Sequence, residues 1–248
     1  MIRAGRAPAE TAPYDEAEAS PSDPDRTALA RRSGVLSPIE ARLARVVKRA
    51  LQDDQNELLD AIRHASGAPE LDVLLPEEQQ RRRFEAAVSG ALGEAWAAGR
   101  RSLRADGETG GEEDDDAVGV AGSALAAELA KELAGQLRGR LSSSLSGVAD
   151  TTEVATQELA SAAYRDWKGA RIESLAGDFA TRAFAVGAVS AASGVTVRWV
   201  VDDDGQACPD CDDNALAGPQ PVGEPFPTGQ AYPPVHPGCR CLLVAADS

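Results

Sequence analysis

All four cysteines of this 248-residue chain lie beyond residue 207. They fall in Cys208-Pro209-Asp210-Cys211 and in His236-Pro237-Gly238-Cys239-Arg240-Cys241. Thiolates and imidazoles are ligands for borderline-soft divalent ions, and a C-x2-C turn points two thiolates at one ion. A distant second pair closes the tetrahedron. The Pro-Gly turn between His236 and Cys239 can bring those two side chains together. Cys239 and Cys241 point the same way if that segment is extended. Five residues thus compete for four positions. Cys208, Cys211 and Cys241 are favoured, with either His236 or Cys239 as the fourth. The expected ion is Zn2+, and four protein ligands leave it no open position, so its expected role is structural.

The need for such an ion is physical. After the last strand come about forty residues rich in Pro, Gly and Asp, too few apolar groups to hold a fold unaided. A structural zinc supplies on the order of 10 kcal/mol in small modules. The competing readings are disulfides, which a cytoplasmic product rarely keeps, and buried free thiols.

Nothing else in the chain has the residue types for catalysis, and no catalytic residue is assigned. There is no P-loop, dinucleotide fingerprint or HExxH helix. His64, the second histidine, falls inside a helical pattern. Asp202, Asp203 and Asp204 read as an exposed acidic turn rather than a cation site.

The elements that must position the module are helical. Ala and Leu dominate the apolar set and aromatics are scarce, which favours packed helices. Residues 1–36, rich in Pro, Ala, Ser, Glu and Asp, lack apolar periodicity and are expected to be disordered. Ser37-Pro38-Ile39-Glu40 reads as a helix start with a capping box. Ile39, Leu43, Val46, Val47, Ala50, Leu51, Leu58, Leu59 and Ile62 then mark a buried stripe, with a stop at Ser66-Gly67 before Pro69. A second helix is expected from Pro76 to about Leu103, completing a helical hairpin over 37–105. An acidic flexible loop follows over 106–117.

The helical region 118–194 opens on a helix with Leu125, Leu129, Leu133, Leu137, Leu141 and Leu145, a core stripe. Asp150-Thr151-Thr152-Glu153 reads as the cap of the next helix, with a break near Gly169 or Gly177. Residues 195–201 alternate as a β-strand, and residues 195–248 form the β-containing Cys/His module. The fold class is therefore mainly α: a long-helix bundle followed by a small α+β module stapled by zinc.

The net charge of −15 is concentrated. The helical stretches are near neutral, while the acids crowd into 106–116 and the tail, where Arg240 is the only base. Naked DNA needs a net basic surface, so general DNA affinity is not expected. The clusters Arg81–Arg83 and Arg100, Arg101 and Arg104 read as solvated helix faces. No apolar run reaches the length of about 20 residues that a membrane span requires. The N-terminus has no apolar signal core. A soluble intracellular product with no membrane partner is expected.

From about Phe179 to Val244 the chain resembles the C-terminal motif of the phage Mu F-like minor head proteins, the phage head morphogenesis family. The matching residues are Arg198-Trp199, Asp202–Asp204, Cys208-Pro209-Asp210-Cys211, Gly218, Pro233-Pro234 and the His236–Cys241 ending, in the family's order. They cover about a quarter of the chain; the segment between Asp212 and Gly218 is longer and more acidic than the family's link. The resemblance implies a low-copy virion protein of the phage head, made in the host cytoplasm. Its implied partners are the portal protein or capsid subunits. Contact with packaged DNA is not favoured, and self-association is left open.

Two other function classes compete. One is a phage-associated hydrolase or toxin-type effector using a metal-bound site around His236, which would need an open metal position. The other is a nucleic-acid-binding zinc module, against which the acidic tail argues.

Overall fold

Ser22, not Ser37, opens the first helix, α1 (Asp23–His64). The Ser22 hydroxyl accepts from the Asp25 amide and the Asp25 carboxylate accepts from the Ser22 amide, a reciprocal cap. The start expected at Ser37 is thereby corrected, and so is the disorder expected for 22–36. Pro38 lies inside α1. It removes the hydrogen bond to the Gly34 carbonyl, a fault worth roughly 3 kcal/mol in an unsupported helix. Here Leu29, Arg32 and Leu36 before it and Leu43 and Val47 after it are all buried, so tertiary packing outweighs the local defect.

The structure, a computed structural model, describes residues 22–65, 70–103, 115–145, 153–202 and 208–246. Among them seven helices and a three-stranded sheet follow in the order α1, α2 (Leu71–Leu74), α3 (Glu77–Ser102), α4 (Asp115–Leu145), α5 (Glu153–Trp167), α6 (Ala170–Ala191), β1 (Thr196–Val200), α7 (Pro209–Leu216), β2 (Gln220–Pro221) and β3 (Leu242–Ala245). The fold is mainly helical with a small antiparallel sheet near the C-terminus, as the sequence led us to expect. The acidic loop expected over 106–117 gives way to α4 by Asp115; its earlier part, the expected stop at 66–69 and the cap at 150–152 lie outside the described residues. The break in the late helical region falls at Lys168-Gly169, between α5 and α6.

One apolar core joins the bundle helices. It includes Leu43, Leu51 and Leu58 of α1, Phe84 and Leu92 of α3, Leu129, Leu133, Leu137 and Leu141 of α4, Tyr164 of α5 and Ile172 of α6. The leucine stripe of α4 is core, as read from its spacing. Helix α3 is the central member, packed on α1, α4 and α6. It meets α6 backbone to backbone. A Cβ on Gly99 would sit 1.8 Å from the Phe184 carbonyl oxygen, and one on Gly187 would sit 2.0 Å from that of Trp96.

This crossing yields a prediction with a built-in control. Gly99→Ala forces two helices apart and is expected to cost about 2–3 kcal/mol, near the top of the usual overpacking range. Gly90→Ala, on the same helix but with open space around its Cβ, is expected to stabilise by about 1 kcal/mol through helix propensity. Urea unfolding of both variants checks the opposed signs.

The sheet order is β2-β1-β3, all antiparallel, with Val197 opposite Gln220 and Trp199 opposite Leu243. Strand alternation gives β1 two masters. Val200, with Leu242 of β3, joins the bundle core. Val197, Trp199 and Leu243 face a second core that contains Cys211, Phe226, Cys239 and Cys241. The sheet is thus the plate between bundle and cysteine module.

Candidate metal centre

Each ligand-bearing turn has a local cause. Cys208 is the residue before α7 and Pro209 opens the helix, where its missing N–H is harmless. Cys211 therefore falls in the first turn of that helix. On the other side, the Cys239 amide donates to the His236 carbonyl at 3.1 Å. Pro237 and Gly238 occupy the centre of that turn, and Gly238 has φ +79°, the conformation a type II turn demands of its third residue. A side chain there would be strained. The turn places His236 in one ligand triplet and Cys239 in another, and Cys211 belongs to both.

The residues converge. Cys208, Cys211 and His236 form one triplet whose ligand atoms all lie within 4.8 Å of one another, and Cys211, Cys239 and Cys241 form another. Cys211 is common to both. Its Sγ is 3.8 Å from Cys239 Sγ and 3.7 Å from His236 Nε2. No two of the sulfurs are bonded to each other; all four cysteines are free thiols. His236 Nδ1 lies 2.9 Å from the Pro237 carbonyl. A proton on Nδ1 satisfies that contact and leaves the Nε2 lone pair facing Cys211, which is how a second contact orients an imidazole ligand. This cluster could hold a metal ion.

The thiols already compete for protons. Hydrogen bonding from Cys211 and Cys241 draws Cys239 far below the usual thiol value. Hydrogen bonding to Cys239 and Cys241, with burial, pushes Cys211 well above it. Cys241 lies up at about 11, a downward pull from Cys211 being outweighed by Cys239 and by burial. The shifts diverge because three crowded sulfurs cannot all ionise unaided. A divalent cation would remove that conflict by displacing the protons.

Residues outside the motif hold its loop in place. Asp178 of α6 accepts from the Gly238 amide at 2.8 Å and from Arg240 Nη1 at 3.0 Å. The Arg240 side chain lies against Gly177, where a Cβ would meet its guanidinium at 2.1 Å. Arg32 of α1, only 5% exposed, donates to the Arg240 carbonyl and, at 2.8 Å, to Asp202. Asn214, fully buried, accepts from the Thr228 amide and hydroxyl, fastening the 226–230 loop to α7. Trp199 meets Phe226 edge-on at 5.2 Å. Sequence reasoning singled out none of Arg32, Asp178 or Asn214, because no local pattern marks their partners. Of the acidic turn, Asp202 borders the site and is held by Arg32; Asp203 and Asp204 lie outside the described residues. His64 is exposed on α1, far along the chain from the cluster, and accompanies Asp60.

A pocket of about 260 Å³ opens beside the ligands, lined by Val201, Asp202, Pro237, Gly238 and Arg240 together with the five Cys and His residues. No described helix is long and apolar enough to cross a membrane. Compared with known protein families, with curated proteins and with solved structures, the chain matches none.

Proposed function

We propose that this chain is a virion assembly protein, a minor head protein of the phage Mu F-like type, in which a zinc-stapled module rides on a helical bundle. The observation that carries the reading is the convergence of the Cys208–Cys211 and His236–Cys241 segments, with Arg198-Trp199 on the strand behind them, in one small module. In a tetrahedral zinc site with Zn–S near 2.3 Å, sulfurs lie about 3.8 Å apart. The Cys211–Cys239 spacing matches this, and the Cys211–His236 spacing suits a mixed sulfur–nitrogen site. Cys211 is the central ligand, and three of Cys208, His236, Cys239 and Cys241 complete the four positions. The long bundle helices offer surfaces to portal or capsid subunits, and the acidic balance disfavours packaged DNA as a partner. The direct test is mass spectrometry of purified virions from a host carrying the gene. The chain is expected as a low-copy head component that co-purifies with portal protein, and its absence from mature and immature heads would remove the reading.

A second reading, a hydrolase built on the same ion, has one observation in its favour: the pocket that borders the ligands. His236→Ala separates the two. In a closed structural site the variant is expected to lose zinc and the order of the module together. A variant that stays folded with zinc bound, while losing a hydrolytic activity of the parent, would favour the enzyme.

A further inference from the structure

Residues 23–33 form about the first quarter of α1, a helix with Pro38 inside it. Pro38 cannot donate to the Gly34 carbonyl. Gly34 has no side chain, and there is open space where one would be. The Ser37 hydroxyl bonds back to the Ser33 carbonyl at 2.7 Å, a contact that accompanies helix bending. A Gly–Pro pair four residues apart is a natural hinge.

The ties of this arm run to the cysteine module. Asp25 pairs with Arg198 of β1, and that partner's hydrogen bond holds the Asp25 carboxyl below its usual range. Arg32 spans two points: Asp202, just beyond β1, and the backbone carbonyl of Arg240. Arg240 stands between Cys239 and Cys241, so its carbonyl position depends on where those two sulfurs are held. From the opposite side Asp178 grips the Gly238 amide and the Arg240 guanidinium. The 238–240 loop is therefore clamped between α1 and α6, and its geometry is set by the ligands that flank it.

We infer that the metal centre is coupled to the N-terminal arm: with metal bound, the 238–240 loop presents the Arg240 carbonyl to Arg32 and locks residues 23–36 onto the sheet, and loss of the metal frees the arm at the Gly34–Pro38 hinge. This rests on the metal reading above. Release would uncover Leu29 and Leu36, both buried when the arm is down. By linkage, the arm must in turn hold the metal.

Hydrogen–deuterium exchange on the full chain, with zinc content measured in parallel, tests the coupling. Stripping zinc with a chelator is expected to raise exchange across 23–36 at least tenfold while α3 peptides stay protected. Arg32→Ala, with zinc still bound, is expected to show the same rise without chelator and to release zinc to a chelating dye about tenfold faster. A chain that binds zinc, loosens its 208–246 module on chelation and keeps 23–36 protected would overturn the coupling and leave the metal reading standing. A chain that neither contains nor takes up zinc would bring down both. Arg32→Lys, which keeps the charge but not the two-point span, guards against a folding defect: it should fall between wild type and alanine, and equality of all three would count against the clamp.

Discussion

Cys211→Ser is expected to empty the metal centre and unfold the C-terminal module while leaving the helical bundle standing. Cys211 is the one sulfur shared by both ligand triplets, so its loss breaks each of them at once. Cys208→Ser or Cys241→Ser breaks only one. The metal contributes on the order of 10 kcal/mol in small zinc modules, more than the second apolar core can replace. That core is small beside the bundle's, and three of its ten buried members are the ligand cysteines Cys211, Cys239 and Cys241 themselves. The bundle has its own core, to which, among the described residues, the module contributes Val200, Leu242 and the partly buried Val244, so most helicity should survive. Zinc per chain should fall from about one to near zero. Trp199 fluorescence should shift to the red as its contact with Phe226 is lost, with a modest change in helical circular dichroism. Acid should mimic the substitution, because protons compete with metal for thiolate and imidazole. A Cys211→Ser protein that retains one zinc and a buried Trp199 would refute the central role of this sulfur.

How far the sequence could be read depended on whether the cause was local. The span expected from Pro76 to Leu103 became α3 within a residue at each end, because its start and stop are local signals. Residues 195–201 became β1, and the His-Pro-Gly-Cys step became a turn, for the same reason. Ser37-Pro38-Ile39-Glu40 misled for the opposite reason. It is a well-formed start signal, but the Ser22–Asp25 cap lies upstream, and burial of Leu29, Arg32 and Leu36 outweighs the cost of an internal proline. The groups that hold the metal loop were illegible. Arg32 and Arg240 are 208 residues apart, and Asp178 and Gly238 are 60 apart; no periodicity joins such pairs. The same holds for Gly99 and Gly187, two unremarkable helical glycines until their helices cross.

The bundle's own weak point is polar. Asp54 is fully buried on α1 and accepts from Gln80 of α3 at 2.6 Å, from the Tyr164 hydroxyl of α5 at 2.7 Å and from Arg83 of α3. Arg83 also reaches Glu57, while Arg138 of α4 reaches the Leu75 carbonyl at 2.8 Å and lies near Gln80. α1, α3 and α5 are thus keyed to one carboxylate, with α4 joined at one remove through Arg138 and Gln80. Burial raises the Asp54 carboxyl above its usual range, against the pull of Tyr164, Gln80 and Arg83. Burial and the same carboxylate push the Tyr164 phenol far up, so it stays a donor.

Asp54→Ala is expected to cost about 3–5 kcal/mol, because it strands a buried hydroxyl, a buried amide and one end of a guanidinium. Asp54→Asn is expected to cost about 1–3 kcal/mol: its oxygen can serve Gln80 and Tyr164, but its NH2 then confronts Arg83. The pH dependence has a definite sign. An acid whose folded value is raised contributes stability that is complete below its unfolded value, about 4, and is lost as pH rises through the folded one. The stability difference between wild type and Asp54→Asn should therefore shrink as pH climbs out of the acid range, then level off. Urea unfolding of the zinc-loaded proteins, followed by helical circular dichroism across that range, reads both effects. An alanine variant within about 0.5 kcal/mol of wild type, the scatter of ordinary surface changes, would mean that the helices find their register without this carboxylate.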